Sequence, residues 1–264
     1  MTLRIGILIF DGATGSNLQT VGLTEDDFGG ANFEGCNELL VATRPDVIAN
    51  LHDSFFRVGV DVVETNTFGA FAVPLGEYGI PERSHELNVT AARIAREVAS
   101  GYATPDRPRW VAGSMGPGTK MPSLGQIRFA DLRDAYEVQA HGLLEGGVDV
   151  LVIETQFDLL GLKAGVIGAR RAMRALGIFV PVQVQVTMEL TGRMLPGTEI
   201  GAALTAIEAL RPDVIGKNCA TGPVEMGEHL RHLGRYAHTP ISCMPNAGLP
   251  SIVDGKMQIG RAHV

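Results

Sequence analysis

The sequence is short of cysteine, of basic charge and of long apolar runs, and each shortage excludes something. Three cysteines in 264 residues are too few, and odd in number, for a disulfide scaffold, which points to a reducing compartment such as the cytoplasm. With 22 basic against 29 acidic residues the formal charge is −7, so nothing draws the chain to nucleic acid or to an anionic membrane surface. The longest apolar stretches are strand-sized, below the roughly 20 residues that span a bilayer, and no basic, apolar leader opens the chain. What is present is a globular composition, 45% hydrophobic and 19% charged, with 33 glycines and 14 prolines spread throughout, which excludes disorder and collagen-like repeats.

Short β-branched runs alternate with longer segments at helical spacing, the pattern of repeated βα units around a parallel sheet. Strands are expected at Ile5–Phe10, Val60–Thr65, Trp110–Ser114, Val148–Glu154, Val182–Thr187, Val214–Asn218 and Ile241–Met244. Helices are expected at Pro45–Val58, Pro81–Ser100, Phe129–Glu145, Leu160–Leu176, Ile200–Leu210 and Pro223–Tyr236, with Gly59, Gly146-Gly147 and Gly177 placed to cap them. Thr20–Thr43 and Ala103–Arg109 lack periodicity and read as a long first loop and a surface turn.

Nearly every strand ends in a group able to bind or react: Asp11, Glu64 with Thr65 and Asn66, Ser114, Glu154 with Thr155, Thr187, Asn218 with Cys219, and Asn246. Functional groups contributed by many strand ends favour a closed (β/α)8 TIM barrel over an open dinucleotide-binding sheet. Asp11-Gly12-Ala13-Thr14-Gly15 lacks the full dinucleotide spacing. An eighth strand and its helix are not found after Asn246, so the expectation is a barrel over 1–258, cut short before its eighth strand. Residues 259–264 read as a non-native tail that matches a translated sequencing adapter.

Cys219, at the predicted end of a strand, is open to three readings: nucleophile, metal ligand or small buried hydrophobe. No Cys-x-x-Cys or His-Glu-x-x-His is present, so any metal must take ligands from distant strands. Asn246 is placed either as a turn former or at the mouth. Cys243 is expected in the barrel core, Cys36 in a structural setting, and the histidines, among them His52, His85, His141, His229 and His232, on surfaces or helix faces. Asp11, Glu64 and Glu154 follow apolar strands with no basic neighbour, which suits gripping an ammonium group or moving a proton. The glycine-rich turns at Gly12–Gly15 and Gly113–Thr119 offer backbone N–H groups to a small anion.

Six ordered segments together resemble the homocysteine S-methyltransferase family: Asp11–Gly15, Glu64–Gly69, Gly113–Pro117, Ile153–Thr155, Asn218–Pro223 and Pro245–Pro250. The likeness is greatest to the homocysteine-binding module of cobalamin-dependent methionine synthases. The resemblance implies a barrel that binds Zn²⁺ through three cysteines and activates the thiol of homocysteine for methyl transfer, giving methionine. It assigns Cys219 and Asn246 to the metal, and Asp11, Gly12, Glu64, Thr65, Ser114 and Glu154 to substrate, with no catalytic residue beyond the metal site. Methylcobalamin and methyltetrahydrofolate would act through cobalamin- and folate-binding modules outside this chain. A stand-alone enzyme using S-methylmethionine or betaine is the alternative, and an inactive barrel fragment a third reading. The adjacent cysteine pair that completes the family's zinc site is not in the sequence, so weak zinc binding or none is expected, and with it little activity for the chain by itself.

Overall fold

Glycine and proline punctuate the chain where helices must start and stop. In the computed structural model, which describes residues 6–247 and the strands Pro250–Val253 and Lys256–Ile259, Pro45 opens helix α1 (Pro45–Val58) and Gly59 closes it in a left-handed conformation, φ 102°. The further long helices are α2 (Ser84–Tyr102), α3 (Phe129–Gly146), α4 (Leu159–Leu176), α5 (Ile200–Glu208) and α6 (Pro223–Tyr236). Gly147 and Gly177 end α3 and α4 in the same left-handed way, and the Asp158 side chain caps α4 through the Leu160 N–H at 2.9 Å.

Between the helices run six parallel strands: β1 (Val62–Glu64), β2 (Trp110–Met115), β3 (Val150–Gln156), β4 (Val182–Val186), β5 (Val214–Asn218) and β6 (Ile241–Met244). Each pairs with the next in chain order, and the sheet curls into an open half-barrel, as expected of a TIM barrel lacking its eighth strand. Pro250–Val253 (β7) and Lys256–Ile259 (β8) form a separate antiparallel pair that the sequence pattern did not signal.

The expected first strand, Ile5–Phe10, is reduced to a single parallel bridge, Phe10 to Val62, held by Asp61 and Val62 N–H groups on the Ile9 carbonyl. A run of isoleucines has strand propensity, but that propensity is expressed only where the side chains pack, and those of Ile7, Leu8 and Ile9 are exposed among the described residues. The Thr20–Thr43 loop carries short helical turns, including Glu25–Phe28 and Leu40–Thr43, that bury Phe28, Cys36 and Leu40.

The outward faces of the strands, with Val63, Val111, Leu151, Ile153, Val184 and Ile215, pack under the helices in one large apolar layer. The inward faces are mixed: Val62, Ala112 and Val152 form a small apolar plug, while Gln183, Gln185 and Ser242 share hydrogen bonds beside it. Gly216 makes room for that arrangement, since a Cβ there would lie 2.4 Å from the Ser242 carbonyl oxygen. At the opposite end from the polar rim, three aspartates clamp neighbouring strands. Asp61 accepts from the Ile9 N–H (3.0 Å), Asp149 from Val111 (2.7 Å) and Asp213 from Val182 (2.8 Å). Each occupies the same place, just before a strand that begins with valine.

Candidate functional site

The carboxyl ends of the strands converge on a cluster of acids that, among the described residues, has no cation. Asp11 follows the Phe10 bridge, Glu64 ends β1 and Glu154 lies near the end of β3, all on the inward face. Asp11 Oδ2 accepts from the Glu64 N–H at 3.0 Å, while Asp11 Oδ1 and Glu64 Oε1 are buried without a partner among the described residues. Glu154 is fully engaged: its carboxylate accepts from Ser114 Oγ (2.5 Å), Asn218 Nδ2 (2.9 Å) and Thr155 Oγ1 (3.3 Å).

Burial pushes Asp11 and Glu64 well above the ordinary carboxyl range. The charge of Glu154 adds to both, and that of Asp11 adds to Glu64. Burial also raises Glu154, though its three hydrogen bonds oppose the rise. The three therefore titrate as a set, and each proton one holds eases ionisation of the others. What such a site lacks is a compact donor with positive charge.

Beside the acids stands Cys219, directly after β5. Thr155, Cys219 and Ala220 have φ of 55°, 56° and 58°, left-handed values that side chains other than glycine rarely adopt. Such strain persists where surrounding contacts enforce it. Here Asn218 does so: its Oδ1 accepts from the Thr155 N–H (2.8 Å), its Nδ2 donates to Thr155 Oγ1 (2.8 Å) as well as to Glu154, and its carbonyl accepts from Thr187 Oγ1 (3.1 Å). The Cys219 sulfur sits 3.5 Å from Asn218 Nδ2 and 3.7 Å from Thr155 Oγ1. Burial, and then the charges of Glu154 and Glu64, hold its thiol above the usual value, against the Thr155 hydrogen bond.

The residues picked out from the sequence fall into three groups. Asp11, Glu64, Glu154, Ser114 and Cys219 come together at the mouth through the contacts above. Thr65 and Ser114 also brace the frame, because the Ser114 N–H donates to Thr65 Oγ1 (3.1 Å), which in turn lies 2.6 Å from Thr67 Oγ1. Ser114 thus has no spare backbone donor, whereas Gly12 is exposed beside Asp11. Asn246 approaches the Cys219 turn through its backbone, its N–H donating to the Thr221 carbonyl at 3.1 Å. Gly248 and Leu249 of the same segment, and residues 260–264 of the expected tail, lie outside the described residues.

One placement corrects the sequence reading. Cys243 is exposed instead of lying in the barrel core. Its register partner on β5 is Lys217, which faces α6, so Cys243 points outward too, away from the inward-facing Ser242. Of the two settings expected for the histidines, His52 takes the helix face, on the buried side of α1 at 1% exposure, and burial pushes it down to about 4. Cys36 is buried, as expected. Asn218, the hub of the site, carried a signal only as a polar strand end preceding a cysteine. Lys217 carried none.

A zinc ion needs about three protein ligands. Among the described residues no three His, Cys, Asp or Glu side chains are grouped to hold a metal, and the groups facing the Cys219 sulfur are an amide N–H₂ and a hydroxyl. The described donor set therefore does not fit the zinc site that the resemblance implies.

A curled parallel sheet with helices on its outer face and polar groups at its carboxyl edge defines a protein of the α/β barrel class. The family described as Homocysteine S-methyltransferase matches residues 8–263, and the chain belongs to that family of methyltransferases. It is 55% identical over 244 residues to a methionine synthase of Mycobacterium tuberculosis and 54% identical over 249 residues to one of Mycobacterium leprae, covering 92% and 94% of this chain. In each case it spans 20% of the relative's length. Among solved structures, the homocysteine methyltransferase MmuM from Escherichia coli aligns in its metallated form with a TM-score of 0.76 at 19% identity, over 93% of this chain and 85% of that one. The oxidized form aligns with a TM-score of 0.74, over 92% and 83%. No helix among the described residues is long and apolar enough to cross a membrane.

Proposed function

We propose that the chain binds homocysteine at the barrel mouth and presents its thiol for methylation to methionine. Family membership supports the substrate class, and one observation carries its placement: a buried set of three carboxyls with two oxygens, Asp11 Oδ1 and Glu64 Oε1, that have no partner, and no cation beside them, among the described residues. An amino acid's ammonium supplies both the N–H donors and the charge that this set lacks. Gly12 leaves room and a backbone donor for the carboxylate, and the substrate's sulfur then extends toward Cys219. In the reaction the sulfur–methyl bond forms, the donor–methyl bond breaks and the thiol proton is released.

The likeness in fold to the solved homocysteine methyltransferase MmuM supports a barrel that takes its methyl group directly from a small donor such as S-methylmethionine or betaine. A second reading makes the barrel the homocysteine module of a methionine synthase, with methylcobalamin as donor and methyltetrahydrofolate as its source. The high identity to the two mycobacterial enzymes supports it.

Calorimetric titration of the purified chain with homocysteine tests the proposal. Saturable binding is expected, weakened about tenfold or more in Asp11→Asn and Glu64→Gln; no binding by the wild-type chain refutes it. Methionine formed with S-methylmethionine but not with methylcobalamin supports the first donor reading, and the reverse the second. The metal content of the same preparation is expected to show little zinc, and a tightly held equivalent contradicts the poor fit of the donor set.

A further inference from the structure

Lys217 has no solvent exposure, whereas Asp158, Arg109 and Glu154, the other charged residues buried among those described, retain 5–7%. A lysine so placed is costly unless its N–H groups are satisfied. No described carboxylate pairs with it. Its Nζ instead donates to Thr221 Oγ1 at 3.0 Å and to Nδ1 of His229, on α6, at 3.2 Å. With Nδ1 accepting, the His229 proton sits on Nε2, the nitrogen that faces Gly192 in the loop after β4.

Thr221 is the far end of the strained turn that begins at Cys219. Its N–H donates to the Cys219 carbonyl at 2.7 Å, and its own carbonyl receives the Asn246 N–H. The turn is thus pinned from two sides: Asn218 holds it from inside the barrel, and the Lys217–His229 pair from behind the sheet. Two successive left-handed residues, neither glycine, persist only where surrounding contacts enforce them.

We infer that Lys217 is a positioning residue, which together with His229 holds Thr221 and so fixes the Cys219–Ala220 turn that aims the Cys219 sulfur at Thr155 and Asn218. The inference deepens the proposed function, since it rests on Cys219 belonging to the working site. Its test reads the sulfur directly, without homocysteine or a methyl donor, so failure of methyl transfer leaves it intact.

The experiment is alkylation of Cys219 by iodoacetamide in the full chain at one fixed pH, with the modified site read by mass spectrometry. Lys217→Met and Thr221→Val, which keep shape and remove the hydrogen bond, are expected to change the Cys219 rate in the same direction by about threefold or more, the size of one ordinary hydrogen bond. Thr221→Ser, which keeps the acceptor, is expected to stay within about twofold of wild type. Thr155→Val is expected to shift the rate too, and the Lys217→Met/Thr155→Val double variant to go no further than the larger single change, because both act on one sulfur position. A merely structural lysine gives independent, multiplying effects. A wild-type rate in Lys217→Met, equal rates in Thr221→Val and Thr221→Ser, or multiplying effects each overturn the inference. If Lys217→Met does not fold, the Thr221 pair decides alone.

Discussion

Replacing Glu64 by glutamine is expected to stabilise the ligand-free protein at alkaline pH, an unusual outcome for a substitution at a buried polar site. Glu64 has a buried oxygen without a partner, and burial and the charges of Glu154 and Asp11 raise it well above the ordinary carboxyl range. A carboxyl raised in the folded state contributes stability that is fully present below the unfolded value, near 4, and is lost as pH rises through the folded value. At an effective dielectric near 20, two unit charges repel by roughly 4 kcal/mol at about 4 Å and by proportionately less further apart. Glutamine removes that repulsion, and its amide can donate to the unpartnered Asp11 Oδ1, so a gain of about 1–3 kcal/mol at pH 8 is expected, shrinking toward pH 5 where the cluster carries protons. Urea unfolding of both proteins at pH 5, 6.5 and 8 is the assay. A loss of stability at pH 8, or a difference independent of pH, refutes the reasoning, because it would mean that Glu64 is neither charged nor repelled in the empty site. The same substitution weakens homocysteine binding, so stability and function are expected to move in opposite directions.

Other perturbations follow from the same contacts. His52→Leu should stabilise the protein at pH 7 by about 1–3 kcal/mol, since both ring nitrogens are buried without partners. Because burial lowers His52 from 6.5 to about 4, its wild-type form is fully stable above 6.5 and loses stability as pH falls toward 4, a slope that thermal melts should show flattened in the variant. Asp149→Ala removes the acceptor of the Val111 N–H and the partner of Arg96, and should cost about 1–3 kcal/mol in urea unfolding; an unchanged midpoint would dismiss the strand clamp. Asn218→Ala unties Glu154 from Thr155 and should both destabilise by about 2 kcal/mol and change the Cys219 alkylation rate, whereas an effect on stability alone would argue against its role as the hub.

Much of the frame was legible in the sequence. Pro45–Val58, Pro223–Tyr236, Val214–Asn218 and Ile241–Met244 have the boundaries that the pattern predicts, because a proline at the first helical position, a glycine at the cap and a β-branched run are local signals. The strand-end acids and Cys219 were legible as candidates for the same reason, each standing at the carboxyl end of an apolar run. Cys243 was misplaced because a period of two says that neighbours point opposite ways and not which way is inward. The burial of His52 was not legible because a helical stripe shows which residues share a face, while the depth of that face depends on what packs over it.

The amino-acid order by itself determined the alternation of strands and helices, their ends and the side on which reactive groups collect, all of which depend on neighbours a few residues apart. Tertiary structure alone decided that Asp11, Glu64 and Glu154 lie close enough to raise one another, that Asn218 ties Glu154 and Thr155 beside Cys219, and that Lys217 is buried behind the turn. Those are contacts across 53 to 64 residues of chain for the Asp11–Glu64 and Asn218 ties, and their energies come from burial and distance, which no local pattern encodes.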